Sequence, residues 1–491
     1  MNLIDRTRAL LDEAMAAYRG TGHEARLREV RRRIDEPLRV AVAGRIKSGK
    51  STLLNALVGE RLAPTDAGEC TRIVTWYEDG HTYRVTAEPA GGGAPRQLRF
   101  NREDGSIEID LDGLAPEQLD RLVVTWPSQE LRTRTLIDTP GIGSLSESVS
   151  QRSWQLLATE DEETPADAVV YLMRHVHRND LEFLRAFHDT EVSAPNPINA
   201  IGVLSRADEI GAGRLDFMAS ARRIAGRTSS DPDVRRVVQT VVPVAGLLAE
   251  TAATLTEAEV DQLRPIAALP VPVADALLLS ADRFAASNPD VELAEPDREA
   301  LLARFGLLGL RIAVILLRTK VASNATELAR ELTARSGIGQ LRELLGSLFY
   351  ERRDVLKSRS ALLALDALAH SHPVPSGDAV ATAVEELISW AHPFRELRVL
   401  SAVRAGWVDG RPEVVADLER VIGGGGTAAH LRLQLSPDAG AAELSTAAAA
   451  ALDRWQRRAE HPLTTRELAV AARVAIRSCE GMLANLDARQ D

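Results

Sequence analysis

Eight consecutive residues, Gly44-Arg45-Ile46-Lys47-Ser48-Gly49-Lys50-Ser51, fit the pattern GxxxxGK[ST] without a mismatch. Each residue type has a use in holding a chain of phosphates. Glycines let the backbone curl until its N–H groups face phosphate oxygens. The helix that follows, entered through Thr52, turns its positive end toward the same oxygens. Lys50 brings a point charge to the β- and γ-phosphates, and Ser51 brings a hydroxyl to Mg²⁺.

Such a loop does not choose the base, so other positions must. Asp138-Thr139-Pro140-Gly141 follows a strand-like run and fits DxxG. Asp138 would hold the Mg²⁺ shell, and Gly141 can swing a backbone N–H to a γ-phosphate. Ser205-Arg206-Ala207-Asp208 ends another strand-like run and approximates the guanine-reading pattern [NT]KxD. Asp208 would accept the guanine N1–H and exocyclic amine, which adenine cannot offer. The aliphatic stem of Arg206 can cover the base as a lysine stem does, and Ser205 keeps a hydroxyl. Val242-Pro243-Val244-Ala245-Gly246 is strand-like and then turns, and the amides of Ala245 and Gly246 are expected to approach guanine O6. Between the phosphate loop and the next strand, Thr71 is expected to close over Mg²⁺ when a γ-phosphate is present, with Thr65 as its rival. Water attack on the γ-phosphate would then use Lys50 for charge and Thr71 and Gly141 for orientation. Arg45 and Lys47 are either charge stabilisers or solvated loop charges. No residue stands out as a base.

The elements that must position these groups are legible as changes of period. Residues 2 to 18 and about 23 to 35 repeat apolar positions at helical spacing, and Pro37 ends the second helix. Leu38 to Ala43 reads as a β-branched strand, with others expected at 72–77, 83–87, 134–137, 168–173 and 200–204. Helical segments between several of them imply a mainly parallel sheet with helices on both faces. From about Thr251 the pattern is helical, with segments at 273–287, 298–322, 338–370, 379–403, 412–421 and 441–487. Gly423 to Gly426 reads as a flexible loop. The N-terminal helices cannot bury their faces alone, so a bundle with the C-terminal helices is expected.

Bulk properties bound the rest. A chain of 491 residues has room for about two to four domains. The net charge of −11 disfavours broad binding of nucleic acid. Two distant cysteines, Cys70 and Cys479, offer neither a disulfide framework nor a CxxC site, which suits a reducing compartment. The acids among Met1 to Arg19 argue against a signal peptide. Leu301 to Leu317 is apolar but carries Arg304 and Arg311 and falls short of the ~20 residues a span needs, so a buried helix is expected. Trp390, Phe394 and Trp407, with Arg395, Arg398 and Arg404 nearby, would suit a bilayer interface; core packing is the favoured reading. His175 and His177 read as surface residues.

These motifs, in this order, resemble the dynamin-like GTPases. GRIKSGKSTLLNALVGERLAPTDAGECTRIVT, within Val40–Gly80, is similar to bacterial members. VLSRADEIGAG from Val203, VPVAGLLAETA from Val242 and SGIGQLRELL from Ser336 resemble the isoniazid-inducible, IniC-like branch. The resemblance implies a GTPase with GTP and GDP as substrate and product and Mg²⁺ as cofactor. It implies an α/β P-loop GTPase domain over about 37–335, and a helical neck or short stalk from both chain ends, 1–36 and 336–491. It further implies pairing through the GTPase face, as a homodimer or with another dynamin-like protein. Peripheral membrane contact from the cytoplasm, with remodelling, follows from the same resemblance. A regulatory GTP switch and a nucleotide-dependent scaffold, each acting on a protein partner, are the alternatives. The chain departs from eukaryotic dynamins, which carry Gln-Ser where it has Ile46-Lys47; that serine joins the catalytic cation site, so the departure bears on hydrolytic rate. The region after the GTPase domain, about 150 residues long, has no room for a long stalk or a eukaryotic lipid-binding domain.

Overall fold

The computed structural model describes residues 2–64, 73–103, 106–141, 166–174, 180–182, 184, 197–210, 214–286, 293–375 and 377–488. Thr71, its rival Thr65, His175 and His177 lie outside the described residues.

Ten strands are described: β1 (Leu38–Gly44), β2 (Val74–Asp79), β3 (Arg84–Pro89), β4 (Arg96–Glu103), β5 (Ser106–Asp110), β6 (Leu119–Trp126), β7 (Arg134–Asp138), β8 (Ala168–Met173), β9 (Ala200–Ser205) and β10 (Val241–Val244). They form one sheet in the order β10-β9-β8-β1-β7-β2-β6-β3-β4-β5. The first five in that order are parallel, with Val40 of β1 beside Leu136 of β7 and Ala168 of β8. Their carboxyl ends therefore leave the sheet on one edge, where ligands of open parallel sheets sit. Beyond β7 the sheet turns antiparallel, apart from the parallel pair β2–β6.

Alternate residues of each strand feed opposite faces. Val40 and Val42 join a core with Leu53 and Leu54 of α3 (Lys50–Val58). Ala41 and Ala43 join another with Ala225 of α4 (Phe217–Ser230). Helices cover both faces, as the pattern of elements predicts. The outer strands β4, β5 and β6 were not anticipated. In β6 the buried Leu122, Val124 and Trp126 alternate with less buried residues, a period-2 signal interrupted by Asp120 and Arg121.

A third apolar core is purely helical. It joins α5 (Gly246–Ala253), α6 (Glu257–Ala268), α7 (Glu295–Arg318) and α8 (Ala325–Ser336) through Leu248, Leu263, Phe305 and Leu328. By length and composition α7 could cross a membrane, yet Leu301, Leu310 and Ile312 pack in this core. Arg304 pairs with Glu259 at 2.8 Å and Arg311 donates to the Leu278 carbonyl at 2.8 Å. Core packing thus accounts for the apolar stretch, as expected.

Both chain ends meet in the remaining helices: α1 (Leu3–Ala17), α2 (Glu24–Asp35), α9 (Ile338–Leu345), α10 (Arg353–Ser371), α11 (Asp378–Trp390), α12 (His392–Arg404), α13 (Pro412–Val421), α14 (Ala441–Glu460) and α15 (Arg466–Asp487). α1 packs on α10 and α11, and α2 on α10; Tyr18 Oη donates to the His372 carbonyl at 3.0 Å. Four segments expected as single helices are divided, among them 379–403, which extended Ala391 splits ahead of Pro393 into α11 and α12. A π-helical turn, Gly346–Tyr350, separates α9 from α10. Two short helices, Val271–Leu277 and Ala281–Ala285, replace 273–287, the second capped by Ser280. Pro462 disfavours helix at His461, and Thr465 caps the next turn, so 441–487 folds back as the hairpin α14–α15. Cys479, on α15, is fully buried, and burial pushes its thiol up to about 12.

Charged groups join the bundle to the sheet. Asp167, just before β8, accepts from Lys357 of α10 at 3.0 Å, faces Arg33 of α2 at 3.4 Å and accepts the Arg39 amide at 2.9 Å. Arg353 donates to the Glu36 carbonyl at 2.8 Å. Tyr350 Oη accepts from Arg134, the first residue of β7, at 2.7 Å.

Candidate functional site

β1 delivers Gly44 to the sheet edge, and the loop to α3 turns through three left-handed or near-left-handed residues: Gly44 (φ 149°), Lys47 (φ 60°) and Gly49 (φ 91°). A Cβ on Gly44 would lie 2.5 Å from the Leu172 carbonyl oxygen of β8, so a side chain there is excluded. Lys47 holds its conformation without a glycine's freedom, a strain of the sort found at ligand loops. Its side chain, like those of Arg45 and Ile46, is exposed. The Ser48 amide donates back to the Arg45 carbonyl at 3.1 Å. The first amides of α3, those of Lys50, Ser51 and Thr52, have no partner inside the helix.

β7 brings Asp138 alongside. Ser51 Oγ donates to Asp138 Oδ2 at 2.9 Å, while Asp138 Oδ1 is buried with no hydrogen-bond partner among the described residues; Ser48 Oγ is equally unpartnered. Burial pushes the Asp138 carboxyl up, and Lys50, Ser51 and the Thr139 amide oppose that. Burial pushes the Lys50 ammonium down, and Asp138 opposes it. Lys50 Nζ reaches the carbonyls of Gly44 and Arg45 at 3.4 Å each. A hydroxyl, a carboxylate with a free buried oxygen and an adjacent lysine form a donor set suited to an oxygen-loving divalent cation and a phosphate. Thr139 anchors this end through its amide and hydroxyl, both on the Val42 carbonyl, at 3.3 and 3.1 Å. Gly141 closes on the phosphate loop: a Cβ there would lie 2.5 Å from Ile46 Cγ1 and 2.9 Å from the Ile46 amide nitrogen.

β9 presents the next loop. Ser205 Oγ donates inward to the Met173 carbonyl at 3.3 Å and is buried. Arg206 sits at φ 53° and bridges two loops, donating to Glu209 Oε1 at 2.6 Å and to the Lys47 carbonyl at 3.0 Å. Its stem is thereby held beside the phosphate loop. Asp208 is half-buried, and burial pushes its carboxyl up, with Glu209 adding to the shift.

One expectation requires correction. The Ala245 amide donates to the Ser336 carbonyl at 2.9 Å and the residue is fully buried, so that N–H has no freedom to meet a base. Gly246 begins α5, and a Cβ there would lie 3.7 Å from Thr52 Cγ2; its amide has no partner inside the helix. The aromatic trio also divides. Phe394 is buried as core packing predicts, but Trp390 and Trp407 are 77% and 58% exposed, and Arg404 is buried rather than at the surface.

Asn55 was missed in the sequence. Its Oδ1 accepts the amides of Leu62 and Ala63 at 2.9 and 2.7 Å. Its Nδ2 donates to the Ala63 carbonyl at 3.0 Å and to Glu250 of α5 at 2.7 Å. All its hydrogen-bonding capacity is used, fixing where the chain leaves α3 toward Thr71 and tying α3 to α5. The available signal was an asparagine inside the apolar run Leu53–Leu57, where its helix propensity is poor.

Residues 40–205 match the Dynamin family. The chain is 41% identical over 497 residues to the isoniazid-induced protein IniC of Mycobacterium tuberculosis (strain ATCC 25618 / H37Rv), covering all of both chains. It is 34% identical to the bacterial dynamin-like protein of Nostoc punctiforme over 115 residues, 21% of this chain and 16% of that one. A solved bacterial dynamin pair aligns over 98% of this chain and 90% of its own, at 12% identity and a TM-score of 0.32, too low to bear on the argument. The full-length identity settles the family: the chain belongs to the bacterial dynamin-like proteins of the IniC type, with a Dynamin-family GTPase core between Val40 and Ser205.

Proposed function

We propose that this dynamin-like GTPase binds GTP at the edge formed by β1, β7, β9 and β10, hydrolyses it to GDP, and couples nucleotide-dependent pairing of its GTPase domains to remodelling, fusion or stabilisation of a membrane from the cytoplasmic side. The reading divides the chain into neck helices at 1–36, a GTPase domain at 37–335 and a helical bundle at 336–491. The observation that carries it is the Ser51–Asp138 pair, with Asp138 Oδ1 left buried and unpartnered beside Lys50. The phosphates would be cradled by Gly44 to Thr52. Guanine would be read by Asp208 beneath the Arg206 stem, with Ser205 bracing the loop and Gly246 facing its far side.

Ser51, Asp138 and Thr71 would hold Mg²⁺, whose charge offsets that building on the phosphate oxygens. Lys50 neutralises the β- and γ-oxygens. Gly141, pressed against Ile46, sets its backbone N–H toward the γ-phosphate, and Thr71 orients the attacking water. Lys47, exposed at the mouth of the loop, is placed to meet charge from a second copy.

Peripheral contact with lipid would use exposed Trp390 and Trp407 and the tip of the α14–α15 hairpin, where Leu463 is 87% exposed. The deciding experiment is vesicle co-sedimentation and tubulation or fusion by wild type beside Lys50→Ala, with and without GTP. Nucleotide-dependent binding by wild type alone is expected. Equal binding in every arm removes nucleotide-coupled remodelling, and no binding in any arm leaves a GTP switch or scaffold. Turnover measured against protein concentration tests pairing: a linear rise excludes it.

A further inference from the structure

Far from the nucleotide loop, three guanidiniums lie together inside the bundle. Arg352 precedes α10, Arg404 ends α12, and Arg432 lies in the short helix Ala429–Leu433; they are only 3%, 6% and 8% exposed. They gather around the run Gly423–Gly426. Arg352 Nη2 donates to the Gly423 carbonyl and Arg404 Nη2 to the Gly424 carbonyl at 3.2 Å. Arg352 Nη2 and Arg432 Nη2 end 2.9 and 3.0 Å from where a Cβ on Gly423 would sit. Two carboxylates face them. Arg432 forks onto Glu396 at 2.6 and 3.2 Å, and Arg404 Nε donates to Glu419 at 2.8 Å. Glu419 is shared with Arg235 of the GTPase domain at 3.1 Å, and Glu396 with Ser478 at 2.6 Å and His392 at 3.5 Å.

The charges do not balance. Arg352 makes no ion pair with a carboxylate among the described residues; its charged neighbours are the like charges of Arg432 and Arg404 and the carboxylates of Glu396 and Glu351. Each of the three arginines keeps one buried N–H group without a partner among the described residues: Arg352 Nη1, Arg404 Nη1 and Arg432 Nε. Buried charged donors left unpaired are costly, and three in one cluster with excess positive charge is the inverse of a compact oxyanion. Arginine forks match tetrahedral phosphate oxygens better than they match a point acceptor.

We propose that Arg352, Arg404 and Arg432 form a second anion site that takes a phosphoryl group, as a free phosphate or as the phosphomonoester head of a lipid. The glycine run is its entrance. Gly425 is exposed while Gly423 and Gly426 are buried, and residues without side chains can shift aside with little steric cost. The proposal is independent of the GTPase reading, because none of these groups touches the nucleotide edge.

Thermal unfolding of the full chain, with inorganic phosphate titrated at constant ionic strength, tests it. Wild type and Lys50→Ala should gain about 2 °C together and saturate, while Arg352→Met should gain nothing. A gain lost in Lys50→Ala and kept in Arg352→Met, or no gain in wild type, overturns the site. Should Arg352→Met fail to fold, hydrogen exchange in wild type decides: amides 423–426 must slow with phosphate, and unchanged exchange overturns the proposal. Flotation with phosphatidylcholine vesicles, with and without phosphatidic acid, separates the sources. Flotation only with phosphatidic acid, competed by phosphate, assigns the lipid head; a thermal gain without flotation assigns the free ion.

Discussion

Asp208 carries a carboxyl that burial pushes up from its ordinary 3.8. Guanine recognition needs that group ionised, because a protonated oxygen would face the N1–H donor with another donor. Guanine affinity should therefore fall as pH drops through the raised value, at a higher pH than an ordinary aspartate would require. Fluorescent GDP titrations carried downward from neutral pH toward the ordinary carboxylate range would register the loss, and Asp208→Asn should abolish this pH dependence. The same substitution places an amide donor opposite position 2 of the base, so xanthine nucleotides should bind Asp208→Asn better than guanine ones do. Lys50→Ala should cost roughly 100-fold in turnover, the scale of one lost charge stabiliser. At this scale the phosphate loop was legible because its residues are contiguous and their chemistry is local. The Ala245 amide was not: its acceptor, Ser336, lies in a distant stretch of chain that the turn itself does not announce. Asn55 was hidden for the same reason, since its partners Ala63 and Glu250 lie on other elements.

Elements meet at the nucleotide edge with little room to spare. Gly141→Ala would drive a methyl into Ile46, moving the phosphate loop or the β7 loop by enough to cost about 1–3 kcal/mol. Calorimetry of a GTP analogue should register weaker binding than to wild type, with GDP affected less if Gly141 serves the γ-phosphate. The sheet's parallel half was readable because its strands are buried and largely apolar, with β1, β9 and β10 each leading into a helix. Its antiparallel extension was obscured, since Arg99 and Asn101 in β4 and Arg121 in β6 break the apolar pattern on the solvated face. Helix boundaries failed where caps, rather than periodicity, set them: Ser280 and Thr465 each accept an amide that ends one helical run and begins another.

Across the molecule, two buried charge networks set how stability responds to change. Lys357 and Arg33 both answer Asp167, so Lys357→Met leaves the buried carboxylate with the Arg33 guanidinium at 3.4 Å and the Arg39 amide at 2.9 Å; chemical denaturation should report a loss of about 3 kcal/mol. Glu396 behaves differently. Burial would raise its carboxyl, but bonds from His392, Arg432 and Ser478 prevail and hold it at about 2, against an ordinary 4.5. A depressed carboxylate stabilises the fold fully above pH 4.5 and loses that contribution as pH falls toward 2. Urea midpoints of wild type should drop across that window by the equivalent of about 3 kcal/mol at most, and Glu396→Gln should flatten the slope.

The burial of Cys479 has a practical corollary. Its sulfur is sealed and its proton held to about 12, so thiolate reagents at neutral pH find no nucleophile there. Only one other cysteine exists in the chain, Cys70, and it adjoins the threonine expected to respond to γ-phosphate. Alkylation of the native protein, mapped by peptide mass, should therefore leave Cys479 unmodified, so that any label falls on Cys70. Its rate with a GTP analogue against GDP would time the arming of that segment.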